Sequence, residues 1–253
     1  PAPAPSADEA GSPSMRRPRE DAVSPSMRPR DAATLLILDR SEAGSPRVLM
    51  GRRHMRHRFM PGMFVFPGGR VDPADSRVPV VGGYEPAVAE KLMHAMKGPK
   101  TEARARAFAV AAVRETYEEA GVLVGAPAEI AWTGKGDMEA FSSRGLLPDL
   151  SPVRLIARAI TPPRRPRRFD TRFLAVFADA IADRLPEGTG PSGELEDVHW
   201  LTLDDAKKLE LPTITLTIIE ELQARLARDP ELAPETPVPY YHWKGKGFVR
   251  EEV

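Results

Sequence analysis

Three glutamates near the middle of the chain are the residues best suited to chemistry. Glu115, Glu118 and Glu119 are spaced i, i+3 and i+4, so on an α-helix they share one face. Like charges on one face repel each other unless a cation lies between them. Mg²⁺ prefers oxygen ligands and keeps waters for the phosphates of a substrate. The spacing therefore predicts either a divalent-metal site or a solvated acidic helix face.

The residues around these glutamates favour the metal site. Residues 114–122 read Arg-Glu-Thr-Tyr-Glu-Glu-Ala-Gly-Val, and they match the second half of the Nudix box, R-E-U-x-E-E-x-G-U with U apolar, except at Thr116. At residue frequencies of roughly 5–7%, five fixed positions match by chance about once in several thousand sequences. The chain thus resembles the Nudix hydrolase family. This resemblance implies an α/β fold, a Nudix-like α/β/α sandwich with a mixed β-sheet.

The first half of the box, G-x5-E, aligns with Gly69 to Asp75, so an aspartate stands where the family usually has glutamate. The family has seven residues between this acid and the arginine. Here residues 76–113 intervene, which is 38 residues (113 − 76 + 1), so an insertion splits the box. A split box resembles the branch that includes the mammalian peroxisomal coenzyme A diphosphatases. Similar segments at 59–69, 168–173 and 211–213 favour the same branch.

The resemblance also implies an activity. It implies a Mg²⁺-dependent hydrolase, with Mn²⁺ as the alternative ion, that cleaves the diphosphate bond of a nucleoside diphosphate linked to another moiety. Coenzyme A or an acyl-CoA is the preferred substrate. A nucleotide sugar, a dinucleotide or an oxidised nucleotide is the alternative, and a non-catalytic ligand-binding or regulatory module is the second alternative.

The resemblance assigns roles to particular residues. The implied metal ligands are the carbonyl of Gly69 and the carboxylates of Glu115, Glu118 and Glu119. Arg114 and Asp75 would support the site as an ion pair. A general base of this family often comes from a later acidic loop, for which the candidates are Glu194 and Glu196.

Two cationic segments suggest how an anionic ligand is held. Residues 46–70 contain six arginines and no acid, and residues 164–172 contain five arginines around Asp170. The guanidinium fork binds phosphate bidentately, so Arg52, Arg53 and Arg168 are predicted to bind the substrate, with plain surface charge as the alternative. The whole chain has a net charge of zero, which favours a small nucleotide over a nucleic acid as partner. Two histidines of the first segment, His54 and His57, are interpreted as loop residues.

The elements that position these residues follow from the pattern of apolar side chains. Apolar runs predict strands at 33–38, 48–50, 63–66, 153–160, 173–178 and 197–201, and helical spacing predicts helices at 87–96, 101–120, 203–209 and 213–228. Gly121 is predicted to end the helix that carries the glutamates. The predicted organisation is an N-terminal tail rich in Pro, Ser and Arg (1–31), a hydrolase domain (32–229) and a C-terminal extension over the domain or a partner (230–253).

The cellular location is predicted from features that the sequence lacks. It contains no cysteine, which excludes a disulfide scaffold and a thiolate metal site. No apolar run approaches the roughly 18 residues of a membrane span, and no apolar signal segment is found at the start. We therefore expect a cytoplasmic protein that does not bind membranes. A homodimer is a further expectation, because dimers are frequent for this fold.

Overall fold

The structure, a computed structural model, describes residues 28–41, 46–56 and 60–253. The strands in these ranges are β1 (Arg30–Asp39), β2 (Arg47–Arg53), β3 (Phe64–Val65), β4 (Gly68–Arg70), β5 (Val122–Val124), β6 (Ala126–Pro127), β7 (Leu146–Leu147), β8 (Arg154–Ile160), β9 (Phe169–Phe177), β10 (Ile181–Arg184), β11 (Leu195–Thr202), β12 (Pro239–Lys244) and β13 (Gly247–Glu252). The helices are α1 (Pro86–Met93), α2 (Glu102–Ala120), α3 (Glu139–Ser142), α4 (Leu203–Ala206) and α5 (Thr213–Arg228).

The central sheet has the order β11-β2-β1-β9-β8-β12-β13, with β3 beside β2 and β4 beside β1. It is mixed, because β1 pairs parallel with β9 and β12 parallel with β8, whereas the other pairs are antiparallel. Alternate residues of β1 face opposite sides of the sheet. Leu35 packs in the core cluster that contains Phe108 of α2, and Leu36 packs in the cluster that contains Ile218 of α5. The predicted α/β/α sandwich is thereby confirmed.

Helix α2 spans nearly all of the helix predicted at 101–120. The hydroxyl of Thr101 accepts a hydrogen bond from the backbone N–H of Arg104 and caps the first turn. Gly121 ends the helix with φ of 69°, a left-handed conformation that favours glycine. Most of the face between these ends is alanine and is buried against the sheet. The helix is therefore held close to the strands along its length.

The segment between the two halves of the box contributes α1 and the first twelve residues of α2. Its Tyr84 hydroxyl donates to the carbonyl of Ala105 at 3.0 Å and accepts from the N–H of Ala109 at 3.2 Å. These two backbone groups are the i and i+4 partners of one helical turn, so the half-buried tyrosine bridges a turn of α2 from the side. The inserted segment thus contacts the helix that carries the glutamates.

The C-terminal residues extend the central sheet. Tyr240 of β12 pairs with Arg158 of β8, and β13 follows as the edge strand. At the other end of the described chain, β1 begins at Arg30, two residues before the predicted domain start. In the described ranges no helix combines the length and apolar character needed to cross a membrane. His57 and part of segment 59–69 lie outside the described residues.

Candidate active site

The last two turns of α2 meet the glycine turn of β4. The side chain of Glu119 is buried, and its Oε2 accepts a hydrogen bond from the N–H of Gly68 at 2.9 Å. Glu115 lies directly against Gly69, where an added Cβ would be 2.3 Å from the carboxyl carbon of Glu115. The glycine therefore lets a carboxylate approach the backbone. The two halves of the box lie together in the fold although the insertion separates them in sequence.

Arg114 connects the carboxylates of this site. Its Nε and Nη2 contact the two carboxylate oxygens of Asp75 at 3.0 and 3.2 Å. Its Nη1 contacts Glu118 at 2.7 Å and Glu115 at 3.0 Å. Asp75 is itself held by the backbone N–H of Asp72 at 2.7 Å. One guanidinium thus fixes two glutamates of α2 relative to the segment that follows the glycine turn.

The pKa values of the three glutamates at this site are all raised. Burial raises the pKa of Glu119 to about 8, although the N–H of Gly68 opposes this, and the charge of Glu115 raises it further. Burial also raises the pKa of Glu118 to about 7 against the hydrogen bond from Arg114. The pKa of Glu115 is raised too, mainly by burial. A nearby cation would favour the charged forms of all three.

The donor set fits a hard divalent cation. Carboxylate oxygens, with a backbone carbonyl at the Gly69 turn, are the ligands that Mg²⁺ prefers. Among the described residues, no three acidic, histidine or cysteine side chains already converge as a metal-binding group. The reason is visible in the contacts, since Glu115 and Glu118 turn to Arg114 while Glu119 turns to Gly68. Binding a cation would exchange these internal hydrogen bonds for ligation.

The two predicted general bases occupy different positions. The charge of Glu194 raises the pKa of both Glu115 and Glu119, so this carboxylate lies close to the glutamates of α2. Glu196 instead lies 3.2 Å from the Nε2 of His54 and 3.7 Å from Arg52. The structure therefore brings Glu194 to the carboxylate cluster and places Glu196 in the neighbouring pocket.

That neighbouring pocket measures about 490 Å³, and its lining combines two arginines and a histidine with two acids, Glu196 and Asp197. Its wall includes the end of β2, with Arg52, His54 and Arg56. Arg52 forms a two-point ion pair with Asp197, at 2.9 and 2.6 Å. The charge of Arg53 lowers the pKa of Glu119, so this arginine lies near the buried glutamate. Arg52 instead lines the neighbouring pocket with its partners Asp197 and Glu196.

Sequence reasoning missed the loop that closes this side of the site. The N–H of Gly190 donates to the carbonyl of Glu119 at 3.2 Å, and the N–H of Ser192 donates to that of Glu118 at 3.0 Å. A Cβ on Gly190 would lie 2.1 Å from the carbonyl oxygen of Glu118, so only glycine allows this contact. Three glycines between residues 188 and 193 were the available signal.

Arg168 is not brought to the glutamates. Its Nε donates to the carbonyl of Thr161 at 3.0 Å, and it lines a different pocket together with Arg104. Arg104 and Glu115 are eleven positions apart on α2 (115 − 104), which corresponds to about 16 Å of helix rise. The two cationic segments of the sequence therefore contribute to two separate pockets, at opposite ends of α2.

Comparison with known proteins gives a consistent family. The chain is 28% identical over 184 residues to "Putative nudix hydrolase 7" of Caenorhabditis elegans, across 68% of this chain and 51% of that protein. It spans about half the length of this curated relative. A crystal structure of a NUDIX hydrolase from Alicyclobacillus acidocaldarius superposes with a TM-score of 0.58 at 28% identity, across 78% of this chain and 92% of the other. No family model matches. The chain has the Nudix fold, and both similarities support the Nudix hydrolase family.

Proposed function

We propose that this chain, a protein of Nudix fold, is a divalent-metal-dependent hydrolase that cleaves the diphosphate bond of a nucleoside diphosphate linked to another moiety. The observation that carries the proposal is the meeting of Glu115 and Glu119 with the Gly68–Gly69 turn. A solvated acidic face would not bury Glu119 or pack Glu115 against a glycine.

The residues of the site have three proposed roles: binding the metal, positioning its ligands and activating water. Glu115, Glu118, Glu119 and the carbonyl of Gly69 would hold a divalent ion, for which Mg²⁺ is the proposed choice and Mn²⁺ the alternative. When bound, such an ion neutralises diphosphate charge and lowers the pKa of the attacking water. Arg114 and Asp75 keep the glutamates in position. Glu194 is the proposed general base, because its carboxylate lies beside the ligands, whereas Glu196 pairs with Arg52 and His54.

The arginines at the end of β2 support an anionic small-molecule substrate. Arg52 and Arg53 at the end of β2 are proposed to bind phosphate oxygens, because guanidinium groups match their geometry. A phosphate that binds would displace Asp197 as the partner of the Arg52 guanidinium. Coenzyme A or an acyl-CoA is our preferred substrate, on the strength of the split box; nucleotide sugars, dinucleotides and oxidised nucleotides are the alternative.

A substrate screen tests the proposal. Coenzyme A, ADP-ribose, NADH and dinucleotides are incubated with the protein in Mg²⁺, in Mn²⁺ and in EDTA, and the products are identified. We expect turnover that needs the metal and that falls by two or more orders of magnitude in Glu119→Gln. Glu102→Gln is the matched control, since Glu102 is an exposed glutamate in the first turn of the same helix.

The outcomes separate the alternatives. Release of adenosine 3′,5′-bisphosphate from coenzyme A supports the preferred substrate, and turnover of a sugar nucleotide alone replaces it. Saturable binding of nucleotides without hydrolysis in either metal would favour the non-catalytic module. A Glu119→Gln protein as active as Glu102→Gln would overturn the assignment of the glutamates.

A further inference from the structure

A second pocket lies at the far end of α2 from the glutamates. It encloses about 380 Å³, which is in the range of small-molecule sites. Its wall combines the first described residues, the start of α2, the β8–β9 connection and β12. Its charged and aromatic lining residues are Arg28, Lys97, Arg104 and Arg168, Asp31 and Asp170, and Tyr240, His242 and Trp243.

Buried arginines already satisfy the two aspartates of this pocket. Asp170 is held by Arg158 through two contacts, at 2.8 and 2.7 Å, and by Arg172 at 2.9 Å. Asp31 is held by Arg104 at 2.6 Å. The charges of both aspartates are therefore already neutralised by ion pairs with arginines around the pocket. They cannot also neutralise the remaining cations of the cavity.

The balance of charge around the pocket is positive. Counting the lining residues and their ion-pair partners, six cationic side chains stand against three carboxylates, Asp31, Asp170 and Glu251, which leaves three positive charges in excess. The cations are Arg28, Lys97, Arg104, Arg158, Arg168 and Arg172. Burial lowers the pKa of Arg172 to about 10, and the charges of Arg158 and Arg104 lower it further against Asp170 and Asp31. Cations crowded in this way favour the arrival of an anion.

Two of the cations are available to a ligand. Among the described residues, the side chains of Arg28 and Lys97 have no hydrogen-bond or ion-pair partner, and both are exposed at the cavity. Arg104 is fixed by Asp31 and by the carbonyls of Lys97 and Pro99. The pocket is therefore lined by a fixed arginine and by two exposed cations that have no partner in the described part of the chain.

We propose that this pocket is a second ligand site, which binds a small phosphomonoester through Arg28, Lys97 and the adjoining arginines. A phosphate group carries the charge and the oxygen acceptors that match several arginine and lysine donors at once. The rings of His242 and Trp243, which also line the pocket, are apolar surfaces for the group esterified to the phosphate. The site is separate from the glutamates, because the length of α2 lies between them.

Calorimetric titration of the full chain tests the proposal. Inorganic phosphate, AMP and adenosine are titrated at low salt in EDTA, so that metal-bridged binding at the glutamates is absent. We expect saturable binding of phosphate and AMP but not of adenosine, and weakening as salt is added. Arg28→Gln combined with Lys97→Gln should lower the affinity for AMP at least tenfold. Lys208→Gln is the matched control, because Lys208 is an exposed lysine on the other side of the protein's sheet, after α4.

Three results would overturn the proposal. The first is wild-type affinity for AMP in the double variant, with its fold checked by circular dichroism. The second is binding of adenosine as tight as that of AMP, which would assign the affinity to the rings. The third is loss of AMP binding in Arg52→Gln but not in the double variant, which would place the ligand beside the glutamates. None of these results depends on whether the chain hydrolyses diphosphates.

Discussion

Arg114 donates two hydrogen bonds to Asp75, at 3.0 and 3.2 Å, although 38 residues separate the two in the chain (114 − 75 − 1). Asp75 is 1% exposed, so this is a buried ion pair. The same guanidinium also contacts Glu115 and Glu118. A single arginine therefore links the segment before the insertion to the glutamates after it.

Asp75→Asn should destabilise the protein. The substitution leaves Arg114 buried with two glutamates but without its main partner, and removing one member of a buried ion pair costs about 3 kcal/mol or more. Urea unfolding measures the loss. Asp72→Asn is the matched control, because Asp72 is exposed and binds Asp75 through its backbone; it should change the free energy of unfolding by less than about 0.5 kcal/mol. Equal stability of the two variants would show that the ion pair between Arg114 and Asp75 does not stabilise the fold.

Gly69→Ala should lower activity by about two orders of magnitude while the fold survives. The new Cβ would lie 2.3 Å from the carboxyl carbon of Glu115, and the flexible end of this side chain can move away. A catalytic group displaced by about 1 Å costs roughly 100-fold in rate. The measurement is kcat on the best substrate of the screen, beside the thermal midpoint. Gly83→Ala is the control, since no atom lies within 4 Å of its added Cβ. Full activity of Gly69→Ala would show that Glu115 need not approach this turn.

Tyr84→Phe should weaken the anchoring of α2. The change removes the hydroxyl that bridges the carbonyl of Ala105 and the N–H of Ala109, and leaves both backbone groups less well satisfied in a buried place. The expected loss is about 0.5–1.5 kcal/mol in urea unfolding, because the two backbone groups remain paired with each other in the helix. Tyr117→Phe is the control, because the contact recorded for Tyr117 is the ring packing against Phe141, which phenylalanine keeps. Identical losses in the two variants would show that the bridge contributes nothing.

The glutamate helix could be predicted from sequence because its signals are local. Thr101 and Gly121 mark its ends, and the spacing of the glutamates fixes their shared face. Even Thr116, at a position where the box has an apolar residue, fits the buried face, since its hydroxyl bonds to the carbonyl of Ala112 at 2.7 Å. Such features depend on neighbours within one or two helical turns.

The remaining features depend on contacts between distant parts of the chain. The pairing of β12 with β8 joins residues about 80 positions apart. No turn or apolar run in the sequence indicates that these two strands are neighbours. Arg52 and Arg168 looked equivalent as arginines near strand ends, yet they lie in different pockets because β2 and β9 flank β1 on opposite sides. Sequence spacing gives the type of a residue but not the place of its strand in the sheet.

Asp170 makes the stability of the protein depend on acid pH. Burial by itself would raise the pKa of Asp170, but the hydrogen bonds from Arg158 and the charge of Arg172 outweigh it and hold this pKa below its usual value. A carboxyl whose pKa is lower in the folded state contributes stability above its unfolded pKa, near 3.8, and loses it as the pH falls through the folded value. The contribution should therefore be complete at neutral pH and fade in strong acid.

Asp170→Asn tests this dependence. At about pH 6 the variant should be less stable than the wild type by roughly 3 kcal/mol, because two buried arginines lose their partner. Below about pH 3.8 the difference should shrink, since the carboxyl of the unfolded chain begins to bind its proton there. Urea unfolding across this range measures both values. Asp179→Asn, an exposed aspartate at the end of β9, should follow the wild type at every pH. A difference between Asp170→Asn and the wild type that stayed constant down to strong acid would show that the ion pairs carry none of it.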